Sequence, residues 1–411
     1  MRTRALTFLP WTLGLWAVGV QVHELIATAG AWATALAGVV LAWPVRREGL
    51  RAWALLAAFL AVALAAPLLG GHLPSATGLA RLSDWLLVPA AAFAVSRVSS
   101  QSLERIGVAA AVMLFVSVAF AALQHFGVWP GQDTFAALSW TKLGFHRVYE
   151  AVPGRDDRFM AGGLLLHRLK FANVTAAACT AGAVAVARRV PRWRLFAAAT
   201  AVGLVGVGWF PHARAALAAT VGAVAVAWVC AAESRRRAVL GSLGLLAAAL
   251  LLVTAVPSLR LRFASSLSSE GSGARGAITA AGVEAIRQHP LTGIGLDRFR
   301  PGLFTPEDAP AQAKEHPGKA HNQLVTIAAE AGVPATLLLL AWLFVLARRS
   351  LAALPAGALG VAAVALFFLL ALLHDPLFHP ESSLALMLIL GAGAGAALRR
   401  QDGLVEEPAL R

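Results

Sequence analysis

The stretch 318–334, GKAHNQLVTIAAEAGVP, sets a histidine, His321, and an asparagine, Asn322, at the mouth of a hydrophobic helix, with Glu330 further in. Ionisable side chains meet apolar sequence at three other places: His167, Arg168 and Lys170 in RFMAGGLLLHRLKFAN, Arg214 in FPHARAAL, and Arg275 in GARGAITAAG. Arginine forks bind phosphate two oxygens at a time. A neutral imidazole, which ordinarily titrates near about 6.5, accepts a proton. Several arginines with one well-placed histidine therefore suit displacement of a diphosphate. The cations neutralise the leaving group, so the reaction needs a base for an incoming hydroxyl and scarcely an acid. There is no DxD, no HExxH and no cysteine cluster, so no metal and no cofactor is expected. At about 100° per residue Glu330 falls in line with Asn322 and Thr326 and opposite His321, a place for holding the bundle rather than orienting the imidazole.

The elements that must position these groups follow from composition. The chain has 411 residues, 58% hydrophobic and 14% charged, with mean hydropathy +0.70. That is too apolar for a water-soluble domain, and the fold class is an all-α integral membrane protein, one polytopic domain over 1–411. About twelve windows are long enough to cross a bilayer, near 5–22, 25–44, 52–70, 83–97, 106–124, 161–187, 194–211, 214–232, 238–256, 322–347, 351–373 and 382–398. The first resembles the core of a signal peptide but lacks a small-residue cleavage site, and is expected to stay as a span. Cys179 and Cys230 lie inside apolar windows and read as small buried hydrophobes, not a disulfide.

Alternate short connections hold over half of the 35 lysines and arginines, which puts both termini in the cytoplasm. Two long connections, 125–160 and 257–321, then face outward, and so does every one of the 11 histidines. The working face is expected to be periplasmic. Within the second loop, RGAITAAGVEAIRQ (275–288) carries Ile278, Ala281, Ala285 and Ile286 at helical spacing and predicts an amphipathic helix near the membrane surface. Pro290, Gly293 and Gly295 in HPLTGIGLDRF predict a tight turn after it. With no strand before it, this GxG is not a nucleotide loop, and no nucleic-acid partner is expected.

A lipid diphosphate suits such a chain, with phosphates at the basic rim and a long tail among the helices. The ordered set of RFMAGGLLLHRLKFAN, the Arg214 turn, SSLSSEGSGARGAITAAGVEAIRQHPLTGIGLDRF and AHNQLVTIAAEAG resembles the O-antigen ligase and polymerase superfamily of bacterial envelope glycosyltransferases, from about 155 to 345. In that family the large periplasmic loop between spans nine and ten carries an arginine, matched by Arg275, a Pro-x-x-Gly-x-Gly turn, matched by Pro290, Gly293 and Gly295, and a His-Asn pair, matched by His321 and Asn322. The family's Ser-Arg-Gly turn is Ala213, Arg214, Ala215 here, and a glycine usual after Glu-x-Gly is Ala335.

The resemblance implies inverting, metal-independent transfer of a glycan from undecaprenyl diphosphate to an acceptor hydroxyl in the bacterial inner membrane. His321 would be the base, with Arg214 and Arg275 on the diphosphate. Asn322, His167, Arg168, Lys170 and Arg158 would bind substrate. The candidates within it are a ligase acting on the lipid A core in lipopolysaccharide biosynthesis, a polysaccharide polymerase and a protein O-oligosaccharyltransferase. The last usually carries a C-terminal soluble region, whereas this sequence stops about a dozen residues after its last window. A lipid-linked sugar flippase is the alternative of another class. It would carry charges through mid-membrane and two similar halves, and neither is evident.

Overall fold

The computed structural model describes residues 2–42, 47–128, 151–152, 154–264, 269–307, 309–315 and 318–401. They form a helical bundle with one small hairpin. The first half holds α1 (Arg2–Gly19), α2 (Glu24–Ala42), α3 (Arg47–Leu69), α4 (Ala76–Asp84), α5 (Leu87–Arg97) and α6 (Ser100–His125). The antiparallel strands β1 (Ala151–Val152) and β2 (Arg155–Phe159) follow, then α7 (Arg168–Ala187), α8 (Trp193–Trp209), α9 (Arg214–Ala231) and α10 (Arg235–Ala255). Short α11 (Pro257–Ala264), α12 (Ser269–Gln288) and α13 (Ala311–Lys314) precede α14 (Gln323–Ala352), α15 (Ala358–Leu373) and α16 (Pro380–Gln401).

Among the described residues, seven helices are long and apolar enough to cross a membrane, with α4 and α5 taken as one, and four more are apolar but shorter. Each of the twelve windows read from hydropathy overlaps a helix, but the fourth crosses the junction of α4 and α5 and the eleventh is a single helix only from Ala358, so twelve separate spans are not established. The sixth is also shorter than expected. Residues 161–167 are not helical but hold a 3-10 turn, Gly163–Leu165, because Gly163 and Leu166 take left-handed backbone there and the helix starts only at Arg168. Most of the first long connection, 125–160, lies outside the described residues, at 129–150.

The core is aromatic at its centre and alanine-rich elsewhere. Trp85 packs edge-on to Phe59, Trp342 and Phe367, at 5.6, 5.9 and 5.7 Å, and so joins α3, α14 and α15 to the α4–α5 junction. Cys179 is buried and Cys230 half-buried, both as free thiols.

Three features position the site. First, the N-termini of α7, α14 and α16 and the C-terminus of α15 meet at one end of the bundle: the Lys170 ammonium lies 2.8 Å from Glu381, and the Gln323 amide donates to the His374 carbonyl at 3.2 Å. Second, α12 is amphipathic as its spacing predicts, although it begins at Ser269. Ile278, Ala281 and Ala285 are buried, it packs on α14, and the Thr279 hydroxyl donates to the Ala320 carbonyl at 2.8 Å. Third, α14 is broken at Gly332, where φ is 84° and ψ 163°, instead of running straight through as a single span.

The break has a local cause. Pro334 has no N–H to give the Glu330 carbonyl, and the Val333 amide turns away to the Pro290 carbonyl at 2.8 Å. The freed Ala329 and Glu330 carbonyls accept instead from the amides of Ile294, at 2.9 Å, and Gly295, at 3.0 Å. The glycine turn after α12 is thus docked along the opened helix, which satisfies backbone groups that lipid could not. Only glycine fits at both faces of the contact. A Cβ on Gly293 would run into the Glu330 carbonyl, and one on Gly332 into that of Leu291.

Candidate functional site

The mouth of α14 is held by its own residues. Asn322 is the N-cap, its side-chain oxygen accepting from the amides of Leu324 and Val325 at 3.1 and 3.2 Å, while its NH2 donates to the Leu372 carbonyl at 3.4 Å. Gly318, Lys319 and His321 have φ of 122°, 98° and 56°. Such backbone costs on the order of 1–3 kcal/mol at each non-glycine residue and persists only where the surroundings enforce it.

Lys319 supplies that enforcement. Its ammonium, buried at 6% exposure, lies 3.0 Å from both Asp297 and Glu330. Arg81 of α4 pairs with the same Asp297 across 216 residues of sequence. Burial pushes the Asp297 carboxyl up, but Lys319 and Arg81 outweigh it and hold the group below its ordinary range. Glu330 therefore braces the mouth of its own helix through Lys319. A cavity of about 60 Å³ lies beside this network, between Phe59, Trp85 and Phe378.

The connection from α15 to α16, residues 374–379, closes over the mouth. The His374 ring stacks on His321 at 6.3 Å and 21°. Asp375 accepts from the Thr326 hydroxyl at 2.6 Å and from the His321 backbone amide. Burial drives the His374 imidazole down to about 3, helped by the charges of His321, Arg275, Arg168 and His167 around it. Burial raises Asp375 to about 6. The His379 ring lies 4.5 Å from His167, and burial, with His167, His374, Lys170 and Arg81 adding to it, keeps it well below the usual imidazole range.

Residues singled out in three separate parts of the sequence thus come together: His167, Arg168 and Lys170 from the start of α7, Arg275 from α12, and His321. Arg168 and Arg275 sit at a rim where helix N-termini add positive potential, an arrangement suited to an anion. Arg214 opens α9 two residues after His212, which lies in a second group. There His212 stacks on His125 at 6.2 Å, and Arg158 near His125 pairs with Asp157 at 2.8 Å and lies over the Phe126 ring at 4.9 Å.

The sequence reading missed Lys319, Asp297, His374, Asp375 and His379 as site residues. The signal available for the last three was HDPLFHPE (374–381), two histidines and two acids between apolar runs. Among the described residues, His321, His374 and Asp375 form a group able to hold a metal ion, their ligand atoms all within 4.8 Å of one another.

Residues 211–340 match a family model described as O-antigen ligase. The match runs from the Arg214 turn through Arg275, the glycine turn, His321 and Asn322 to beyond the break in α14, and it supports a member of the O-antigen ligase family. No curated protein matches the chain.

Proposed function

We propose that this chain is an O-antigen ligase, an inverting glycosyltransferase that moves a glycan from undecaprenyl diphosphate to a hydroxyl of the lipid A core. The observation that carries the reading is the convergence of His167, Arg168, Arg275 and His321 on His374 at the mouth of a broken helix. Within the reading, Arg214 and Arg275 take the diphosphate oxygens, with Arg168, Lys170, His167 and Arg158 completing a basic rim for donor and acceptor. His321 accepts the proton of the acceptor hydroxyl as its oxygen attacks the anomeric carbon. The bond from that carbon to the diphosphate breaks on the opposite face, and the diphosphate leaves with the electron pair, its charge met by the arginines. Asn322 fixes the mouth and offers hydrogen bonds to a sugar. No metal is required, since guanidinium groups do the neutralising. The chain crosses the inner membrane about twelve times with both termini in the cytoplasm, and this site faces the periplasm.

The test is deletion of the gene followed by separation of the envelope lipids on a gel. Loss of all polymer attachment to lipid A core, with lipid-linked polymer accumulating, is the expected result. Attachment of single repeats would make the chain a polymerase, and loss of glycan from protein alone would make it an oligosaccharyltransferase. Either outcome overturns the ligase reading.

A further inference from the structure

We infer that His321, His374 and Asp375 form a binding site for one transition-metal dication of the zinc class, whose occupancy silences the site. The first half stands on the geometry alone. The second rests on His321 being the base proposed above.

Two imidazoles and a carboxylate are a donor set that zinc and its neighbours take, whereas magnesium and calcium want oxygen alone. The three ligand atoms lie within 4.8 Å of one another. Bonds of about 2.0–2.2 Å to a tetrahedral ion bring ligand atoms to roughly 3.3–3.6 Å apart, so the group must close by about an ångström. The half-exposed His321 ring, on its turn at the mouth of α14, is the ligand that makes this movement.

The other two ligands are already set. His374 Nε2 and one oxygen of Asp375, Oδ2, are buried and lack a hydrogen-bond partner, a state costly enough to point to a missing one. The other oxygen, Oδ1, is fixed by the Thr326 hydroxyl at 2.6 Å, whose oxygen in turn accepts from the Ala320 amide at 3.0 Å. Support of this kind orients a ligating carboxylate. Against these, Arg275, Arg168 and His167 surround His374 and repel a dication, so the affinity falls below that of a structural zinc site. A bound ion takes the imidazole lone pair of His321 that would otherwise receive the acceptor's proton, and it adds positive charge without being needed by the reaction.

The experiment uses the full chain purified in detergent and stripped with a chelator, titrated with zinc against a chromophoric competitor. One zinc per chain is expected, not displaced by millimolar magnesium. His374→Gln and Asp375→Asn, which keep size and polarity, should each weaken binding by about 10–100-fold, while His289→Ala, outside the group, should not. Zinc should also raise the melting temperature of the wild type and of His289→Ala but not of His374→Gln, which registers the site even if a variant is less stable. Absence of stoichiometric binding, or binding undiminished in His374→Gln, overturns the site. In a transfer assay zinc should inhibit the wild type reversibly. If zinc binds at this site and transfer continues unimpaired, the inhibitory half and the base assignment to His321 fail together, and the metal site stands.

Discussion

Around His321 the neighbours are ionisable: His374 stacks on it, Asp375 takes its amide, and Arg275, Arg168 and His167 lie near enough to His374 to act on its charge. Around His125 the nearest contacts are rings and a carbonyl, with Arg155, Asp157 and Arg158 of the hairpin acting on it from further out. Its ring contacts Phe126 at 5.1 Å and Phe210 at 5.5 Å, its Nδ1 is bonded to the Phe159 carbonyl at 2.7 Å, and its stacking partner His212 is 2% exposed. Both groups pair histidines from distant parts of the chain, and both sit at helix ends. The clustering of histidine at helix ends therefore does not by itself locate the chemistry. What distinguishes the groups is their nearest company: at His321 a second imidazole and a buried carboxylate, at His125 rings and a carbonyl that use the imidazole to seal a hairpin onto α6, while Arg158 and Asp157 pair with each other beside it.

The largest expected effect sharpens this contrast. His321→Ala, and equally His321→Gln, should lower turnover by about 10²–10⁴, because an amide can hydrogen-bond at the mouth but cannot accept the proton. His125→Gln should leave turnover near normal. Rates are to be compared at matched protein levels, and transfer above about a tenth of wild type in His321→Gln would move the base to His167 or His212.

Next come the arginines that span the two groups. Arg275→Ala and Arg214→Ala should each cost roughly 10²–10³ in turnover, as loss of a donor to a developing oxyanion does. Lysine keeps the charge without the planar fork and should restore part of it. If Arg214→Ala were near wild type while Arg275→Ala was dead, the diphosphate would lie wholly within the His321 group.

A third variant breaks the scaffold without touching either group of rings. Lys319→Met leaves Asp297 to Arg81 alone and takes from the Glu330 carboxylate its partner inside the protein, and removal of one partner from a buried ionic network costs about 3–5 kcal/mol. A melting temperature in detergent unchanged by this substitution would show that the network does not brace the mouth. The smallest effect is expected of Asn322→Ala, about 0.5–2 kcal/mol of stability for a lost helix cap, with turnover changed little. A hundredfold loss of activity at normal stability would instead put its amide on a sugar.

Much of the architecture was legible because it depends on local properties of the chain. Hydropathy fixes where helices lie whatever they pack against, and each apolar window is helical over most of its length. The spacing of Ile278, Ala281 and Ala285 marked the face of α12 that is buried. Two local departures were readable in principle and were not read: the left-handed turn at 163–166 that shortens α7, and Gly332 with Pro334, which break α14. In both, glycines stand inside an apolar run, where hydropathy outweighs the backbone signal.

The candidate site divides along the same line. Sequence alone determined that the chain is a helical bundle apolar enough for a membrane, that Arg168, Arg275 and His321 stand at helix ends or in the long connections, and that a glycine turn follows α12. Only the tertiary structure decided what surrounds His321. Thr326 and Asp375 are 49 residues apart and Arg81 and Asp297 216, separations across which no periodicity carries information. Antiparallel packing of α15 between α14 and α16 brings HDPLFHPE over the mouth of α14, and the broken helix needs the glycine turn to satisfy its carbonyls. Burial then sets the protonation of His374 and Asp375, because an imidazole or a carboxylate takes its working charge from what water is left around it, and that is a property of the packed bundle.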